Sequence, residues 1–153
     1  MERLLYSFTD LQKDLNSIIQ QMVVDGFTPD VIVGPGRGGY IPGVMLSHYF
    51  EVPFEGIRWQ LRDGNITDDK TLRHIVKKHF SDNILVIDDI NDSGATLKGI
   101  FEIIAEESQL SDVRCATLIT KTSSNFGSVD YTGRTLQPDY NPWIVFPYEE
   151  WWK

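Results

Sequence analysis

The feature that most constrains the fold is a short apolar run that ends abruptly in acidic residues. Residues 84–87 are all apolar, and Asp88 and Asp89 follow them directly. A run without polar alternation is typical of a parallel strand that is covered on both faces. Small and polar residues come next, and a helical pattern follows over residues 96–108. The segment therefore predicts a buried strand, a polar loop and a helix, which is the repeating unit of an α/β fold.

The rest of the chain repeats this alternation. Apolar residues at helical spacing predict a first helix over residues 9–25, with Thr9 and Gln12 as a capping box and Gly26 as its end. Further strands are predicted at 31–33, 54–60 and 113–120, helices at 42–50 and 69–80, and a loop at 61–67. Right-handed crossovers would bring the loops after the strands to one edge of a parallel sheet, where such sheets bind ligands. We therefore expect a single α/β domain over residues 1–153.

Charge and composition restrict the class of partner. The 153 residues include 14 Lys and Arg but 22 Asp and Glu, giving a net charge of −8. Because a nucleic-acid-binding surface is basic, we expect no nucleic-acid partner. No apolar run approaches the roughly 20 residues of a membrane span, and the first residues do not resemble a signal peptide. With Cys115 as the single cysteine, these features predict a cytoplasmic protein without an internal disulfide.

A glycine-rich loop at 34–39 follows the strand predicted at 31–33. Glycines 34, 36 and 39 match the G-x-G-x-x-G spacing of dinucleotide-binding folds. Pro35 and Arg37, however, occupy a turn that normally passes close under a pyrophosphate, and a purely structural tight turn is a further alternative. We favour an anion site, because bare glycine amides can approach a phosphate while Arg37 supplies a planar fork of donors.

The loop at 88–96 combines two chemistries. Its later part suits a monophosphate, because backbone amides and hydroxyls precede the amino terminus of a helix there. The residues concerned are Ser93, Gly94, Ala95 and Thr96. Asp88 and Asp89 would repel a phosphate and are expected to face sugar hydroxyls or a divalent cation. A ligand with a phosphate, a diol and a second phosphate group would satisfy both loops, whereas the structural alternative is an Asx-capped helix with solvated acids.

Four segments together resemble one family. ILVIDDINDSGAT, over residues 84–96, resembles the phosphoribosyl-pyrophosphate signature of the type I phosphoribosyltransferases. The loop at 37–39 with Pro42-Gly43 resembles the pyrophosphate loop of the bacterial xanthine-guanine enzymes, and 117–121 resembles the strand that ends in their base-binding lysine. Residues 141–148, which include Trp143-Ile144 and Pro147-Tyr148, resemble their Trp-Ile followed by Pro-Trp. Residues 59–64 lack the Ser-Tyr pair of the hypoxanthine-guanine enzymes, so no residue of 58–72 is assigned to closure over pyrophosphate.

The resemblance implies a type I phosphoribosyltransferase fold, with a parallel sheet flanked by helices and a small hood from the terminal segments, mainly about 122–153. It implies Mg²⁺-dependent transfer of 5-phosphoribosyl from phosphoribosyl pyrophosphate to a 6-oxopurine, namely guanine, xanthine or hypoxanthine. The products would be the nucleoside 5′-monophosphate and pyrophosphate. The expected partners are these two substrates and further copies of the chain, in a homodimer or homotetramer.

The same resemblance implies roles for individual residues. Asp92 would be the general base, Arg37 and Gly38 would bind pyrophosphate, and Asp88 and Asp89 would hold the ribose diol and the metal ion. The phosphoribosyl-pyrophosphate site as a whole would comprise Asp88, Asp89, Asp92, Ser93, Gly94, Ala95 and Thr96, and the base site Lys121, Trp143 and Ile144. Two alternatives stay open: transfer to another base such as a pyrimidine, and a regulatory protein that keeps the fold without turnover.

Overall fold

The structure, a computed structural model, describes residues 1–61 and 64–153. Its strands are β1 (Arg3–Leu5), β2 (Val31–Gly36), β3 (Phe54–Gln60), β4 (Ile66–Thr67), β5 (Asn83–Asn91), β6 (Asp112–Lys121), β7 (Tyr131–Leu136) and β8 (Trp143–Val145). Its helices are α1 (Phe8–Asp25), α2 (Tyr40–Phe50), α3 (Asp69–Lys78) and α4 (Ala95–Glu107). Strands and helices alternate through the central part of the chain, as the sequence predicts.

Six strands form one sheet in the order β4-β3-β2-β5-β6-β7. Neighbouring strands are parallel except for β4, which pairs antiparallel with β3. The predicted α/β fold with a parallel core is therefore confirmed. The loop predicted at 61–67 is wrong at its end, because residues 66 and 67 extend the sheet; residues 62 and 63 lie outside the described part of the chain.

The amino- and carboxyl-terminal parts of the chain meet in a separate two-stranded parallel sheet of β1 and β8. The segment 122–153, predicted to form most of a hood, divides between the two sheets. Its strand β7 pairs with β6 at the edge of the main sheet, whereas β8 pairs with β1. The small sheet of β1 and β8 is built from the terminal segments, and its role as a hood stays a prediction.

The first helix begins slightly earlier than predicted. The capping box is formed by Ser7 and Asp10 instead of Thr9 and Gln12: the Ser7 hydroxyl accepts from the Asp10 amide at 3.0 Å, and the Asp10 carboxylate accepts from the Ser7 amide at 2.9 Å. Aspartate at the third helical position thus takes the part that glutamate or glutamine has in the usual box. The predicted stop is confirmed, since Gly26 caps α1 with a φ of 72° in the left-handed region.

Both faces of the sheet are covered, which explains the uninterrupted apolar run in β5. Leu85 and Ile87 pack in a core with α1 and α2, while Ile84 and Val86 pack on the opposite face with α3 and α4. Cys115 is fully buried in the second core. Among the helices formed by residues 1–61 and 64–153, none has the length and apolar character needed to cross a membrane.

Candidate functional site

The acidic pair lies inside β5 and not in the loop after it. The predicted strand at 84–87 continues to Asn91, because its pairing with β6 extends as far as the Asn91–Thr120 pair. Asp88 and Asp89 are consequently buried, with 8% and 9% of their surface exposed. An Asp88 carboxylate oxygen accepts a hydrogen bond from the Asp89 amide at 2.8 Å, and the Tyr148 hydroxyl donates to Oδ2 of Asp89 at 3.2 Å.

The electrostatics of the pair favour a positively charged or hydrogen-bond-donating ligand. Burial raises the pKa of Asp88 well above its ordinary value, and the neighbouring Asp89 charge raises it further. Burial also raises the pKa of Asp89. Two carboxyl groups that are buried side by side resist ionisation together, so a cation or the hydroxyls of a diol would stabilise their charged forms.

The acidic pair fits a Mg²⁺ site in which a bound substrate would provide the remaining ligands. Within the described part of the chain, no group of three or more His, Cys, Asp or Glu side chains is arranged to hold a metal ion. Mg²⁺ is commonly bound through one or two carboxylates together with substrate phosphates and water. Asp88 and Asp89 would supply those carboxylates, and the remaining ligands would come from a phosphorylated substrate.

The burial of this pair predicts a stability effect. A carboxyl group whose pKa is higher in the folded than in the unfolded chain destabilises the fold at every pH above the unfolded value. Replacing the Asp88 charge by a neutral group of the same shape, Asp88→Asn, is therefore expected to raise the melting temperature near neutral pH. Each kcal/mol corresponds to roughly 2–4 °C for a chain of this size.

Thermal unfolding with a metal chelator measures this effect, with Asp69→Asn at the exposed start of α3 as the matched control. A melting temperature of Asp88→Asn below that of the unaltered protein would contradict the prediction.

The loop between β5 and α4 leads into a helix whose N-cap residue has no side chain. The N-cap of α4 is Gly94, which has a φ of 92° and caps the helix with no side-chain hydrogen bond. The Asx-capped alternative is therefore wrong. A Cβ at Gly94 would lie 2.5 Å from the Phe126 amide nitrogen, so only glycine fits this position. The Ala95 amide donates to the Ser93 hydroxyl at 3.3 Å. The first amides of α4, with that of Thr96 among them, are suited to bind an anion.

Asn91 shapes this loop, although no sequence pattern pointed to it. Its side chain is almost fully buried, donates to the Phe126 carbonyl at 2.9 Å and accepts from the Ser124 hydroxyl at 2.7 Å. The Ser93 carbonyl also accepts from the Asn125 amide at 2.9 Å. These bonds attach the loop to the irregular segment 122–130, which returns the chain from β6 to β7. No local pattern marks Asn91, because its partners are more than 30 positions away.

The structure joins two residues that were predicted to belong to different subsites. Lys121, at the end of β6, forms an ion pair with Asp92, with 2.8 Å between Nζ and Oδ1. The same ammonium donates to Oδ1 of Asn141 at 2.6 Å. Asn141 lies two residues before Trp143, so the lysine connects the loop after β5 to the segment that leads into β8. The role of Asn141 as a partner of Lys121 was not predicted.

Trp143 and Ile144 present different surfaces. Trp143, at the start of β8, exposes 46% of its surface, which leaves indole area for contact with a ring. Ile144 is buried in the core beside α1, so its side chain is not available to a ligand. Both residues are held by the pairing of β8 with β1.

The loop after β2 contacts the acidic pair through Gly38. A Cβ at Gly38 would collide with the Asp89 carboxylate, so glycine is required for this approach. The peptide bond between Gly36 and Arg37 is cis. Glycines 34 and 39 belong to the spacing that matches a dinucleotide-binding loop. Packing explains the glycine at position 34, because a Cβ there would lie 2.7 Å from the Gly39 carbonyl oxygen.

Arg37 lies at a cavity beside this contact. The cavity has a volume of about 230 Å³ and is lined by Gly36, Arg37, Tyr40, Arg58, Trp59, Gln60 and Ile66. Arg58 reaches the same cavity because it pairs with Gly36 in the register of β2 and β3. Two guanidinium groups at one small cavity, next to glycine amides, form a candidate anion site.

A larger opening of about 650 Å³ lies at the other end of the sheet, between α1 and the starts of β6 and β7. Its arginine, Arg114, already bonds Asp25 at 2.5 Å and Asp112 at 2.7 Å. We therefore place the candidate site at the carboxyl ends of β2, β5 and β6.

The chain is similar to known proteins in sequence and in fold. The chain is 26% identical over 116 residues to the hypoxanthine-guanine phosphoribosyltransferase of Schizosaccharomyces pombe, covering 62% of this chain and 56% of that protein. It thus spans about half the length of that curated relative. Among solved structures, the purine phosphoribosyltransferase of Pyrococcus horikoshii superposes with a TM-score of 0.76 at 24% identity, over 98% of this chain and 95% of the other.

The xanthine-guanine-hypoxanthine phosphoribosyltransferase of Helicobacter pylori gives a TM-score of 0.73 at 23% identity, over 97% of this chain and 95% of the other. These structures share the fold. The sequence model of the phosphoribosyl transferase domain matches residues 6–151. Because that match extends over nearly the whole chain, this protein belongs to the phosphoribosyl transferase domain family.

Proposed function

We propose that the protein transfers 5-phosphoribosyl from phosphoribosyl pyrophosphate to a 6-oxopurine, giving a nucleoside 5′-monophosphate and pyrophosphate. The observation that carries the proposal is the ion pair of Lys121 with Asp92. The Lys121 ammonium can only donate hydrogen bonds, and this ion pair places it beside the Asp92 carboxylate, at the start of the loop that is suited to bind a phosphate. The named activities of the fungal and bacterial relatives support the same substrate class.

The residues divide the work of cleaving the C1–O bond. Positive charge develops on the ribose ring and negative charge on the leaving pyrophosphate, and Arg37 would neutralise the latter together with the Gly38 amide. Asp88 and Asp89 would hold the ribose diol, and the loop from Asp92 to Thr96 would bind the 5′-phosphate and so align C1 with the base. Bound by Asp88 and Asp89 together with the substrate, Mg²⁺ would supply further positive charge at the pyrophosphate.

The base would be recognised by Lys121 and Trp143. An ammonium has three donors, and Asp92 and Asn141 take two of them. The third is available for the 6-oxo group of a purine. Trp143 would stack on the ring, and the Ile144 backbone would contact its edge. Asp92, beside that edge, would accept the proton that the purine loses when its nitrogen attacks C1.

A homodimer or homotetramer and a cytoplasmic location stay predictions. The outer face of α2 is suited to contact a second copy, because it exposes the apolar side chains of Ile41, Val44, Met45 and Tyr49.

The pyrophosphate subsite makes a separate prediction. Arg37→Ala is expected to weaken binding of pyrophosphate and of phosphoribosyl pyrophosphate by about tenfold or more, because a charge-assisted hydrogen bond contributes about 1.5–3 kcal/mol. Binding of the nucleoside monophosphate, which lacks the pyrophosphate, should hardly change. Inhibition by pyrophosphate and titration calorimetry measure these effects.

Lys98→Ala, at an exposed position on α4, is the control for loss of a positive charge. Unchanged inhibition of Arg37→Ala by pyrophosphate would move the anion site elsewhere, with Arg58 as the next candidate in the described cavity and Arg62 as a candidate outside the described residues.

The proposed function is tested with a panel of bases. Guanine, xanthine, hypoxanthine, adenine and pyrimidines are incubated separately with phosphoribosyl pyrophosphate and Mg²⁺, and release of pyrophosphate and formation of nucleotide are measured. We expect turnover with at least one 6-oxopurine. Turnover with a pyrimidine alone would replace the proposed substrate class. Binding of phosphoribosyl pyrophosphate without turnover of any base would favour the regulatory alternative, and a salt-dependent RNA complex would strengthen it.

A further inference from the structure

The carboxyl-terminal segment places the hydroxyl of Tyr148 between strand β5 and the loop after β2. This hydroxyl lies 3.2 Å from Oδ2 of Asp89 and 3.4 Å from the carbonyl oxygen of Gly38. Asp89 belongs to β5, whereas Gly38 belongs to the loop after β2. A single phenolic group therefore contacts the acidic pair and the candidate anion loop at once.

The surroundings keep the phenol in place as a donor. Its ring is stacked on Phe146, with 5.5 Å between centroids and 4° between planes, and Phe146 is itself buried in the core. The Phe146 amide donates to the Glu149 carboxylate at 2.9 Å, which closes the turn that carries Tyr148. A tyrosine hydroxyl carries one hydrogen, so it can donate to either oxygen.

The Tyr148 hydroxyl lies where Asp89 and Gly38 are in close contact. Asp89 approaches Gly38 so tightly that no Cβ would fit between them. The hydroxyl has one hydrogen and two acceptors, so it can orient the Asp89 carboxylate or the Gly38 carbonyl without moving its ring. Movement of the acceptor to which the hydroxyl donates would break this hydrogen bond.

We propose that Tyr148 is a positioning residue, which orients the Asp89 carboxylate toward the ribose diol and keeps the Gly38 loop in register with it. The proposal rests on the proposed function, since it assigns Tyr148 to the phosphoribosyl-pyrophosphate half of that site. The Tyr148 hydroxyl takes no part in recognition of the base.

The variant Tyr148→Phe removes only the hydroxyl and keeps the stacking on Phe146. Tyr131→Phe is the matched control, because its hydroxyl also donates to a carboxylate, that of Asp25, at the opposite end of the sheet. Calorimetry with phosphoribosyl pyrophosphate and Mg²⁺ and steady-state kinetics with both substrates are measured on each variant. For Tyr148→Phe we expect about tenfold weaker binding of phosphoribosyl pyrophosphate, about 1.4 kcal/mol, with a matching rise of its KM. The KM of the purine should change little.

A purely structural role gives a different result. Residues 143–145 belong to the same segment as Tyr148, so a general loosening would weaken binding of the purine as well. Equal losses for both substrates, or no loss for phosphoribosyl pyrophosphate, would overturn the inference while leaving the proposed function intact. Failure of the unaltered protein to bind phosphoribosyl pyrophosphate would overturn the proposed function and the inference with it.

Discussion

Asp92→Asn is expected to lower kcat by a factor of about 100 to 10,000, the usual contribution of a positioned general base, with little change in the KM of either substrate. Asparagine has the shape of aspartate, and its carbonyl oxygen can still accept the hydrogen bond from Lys121 that the structure shows at 2.8 Å. The variant therefore keeps the geometry of the pair and loses the ability to take up the purine proton. Steady-state kinetics with phosphoribosyl pyrophosphate and the preferred base measure the effect.

Asp69→Asn at the exposed start of α3 is the control for removal of a carboxylate far from the site. A variant Asp92→Asn that raises KM while kcat stays near that of the unaltered protein would show that Asp92 binds substrate and does not handle the proton.

The second large effect concerns the choice of base. We expect kcat/KM for adenine to be about 100-fold lower than for the preferred 6-oxopurine. The Lys121 ammonium can donate to a 6-oxo group, but it meets the 6-amino group of adenine donor against donor. A donor left unpaired in a buried site costs about 1–3 kcal/mol, and a site built around a hydrogen bond can discriminate more strongly. Since Asp92 and Asn141 already hold the ammonium in place, it cannot easily turn away from the base.

Competition kinetics between guanine and adenine measure this ratio, and Lys121→Ala should reduce it by slowing the reaction with guanine. Lys98→Ala, on the exposed face of α4, provides a lysine control outside the site. Efficient nucleotide formation from adenine would refute the argument, as would unchanged guanine kinetics in Lys121→Ala. Trp143 plays no part in this choice, because stacking is available to any purine.

The sequence by itself determined the fold class and the family. The apolar run at 84–87 predicted a strand covered on both faces, and the structure buries it between α1 and α2 on one side and α3 and α4 on the other. Most predicted helix and strand ends lie within a few residues of the observed ones, because periodicity and caps are local. The spacing of the glycines and acids is equally local, so the residue types alone indicate which chemistry each of the two loops can support.

Only the tertiary structure decided how the site is assembled. The extension of β5 through Asp88 and Asp89 depends on its pairing with β6. Strand β7 joins the main sheet beside β6 because the irregular segment 122–130 returns the chain to the start of the sheet. The bonds of Asn91 to the segment 122–130 and of Lys121 to Asp92 and Asn141 join positions far apart in the chain. The hydroxyl of Tyr148 reaches Asp89 from a position 59 residues further along the chain. Such contacts leave no periodic trace in a single sequence, because each depends on where the packed sheet brings two distant side chains.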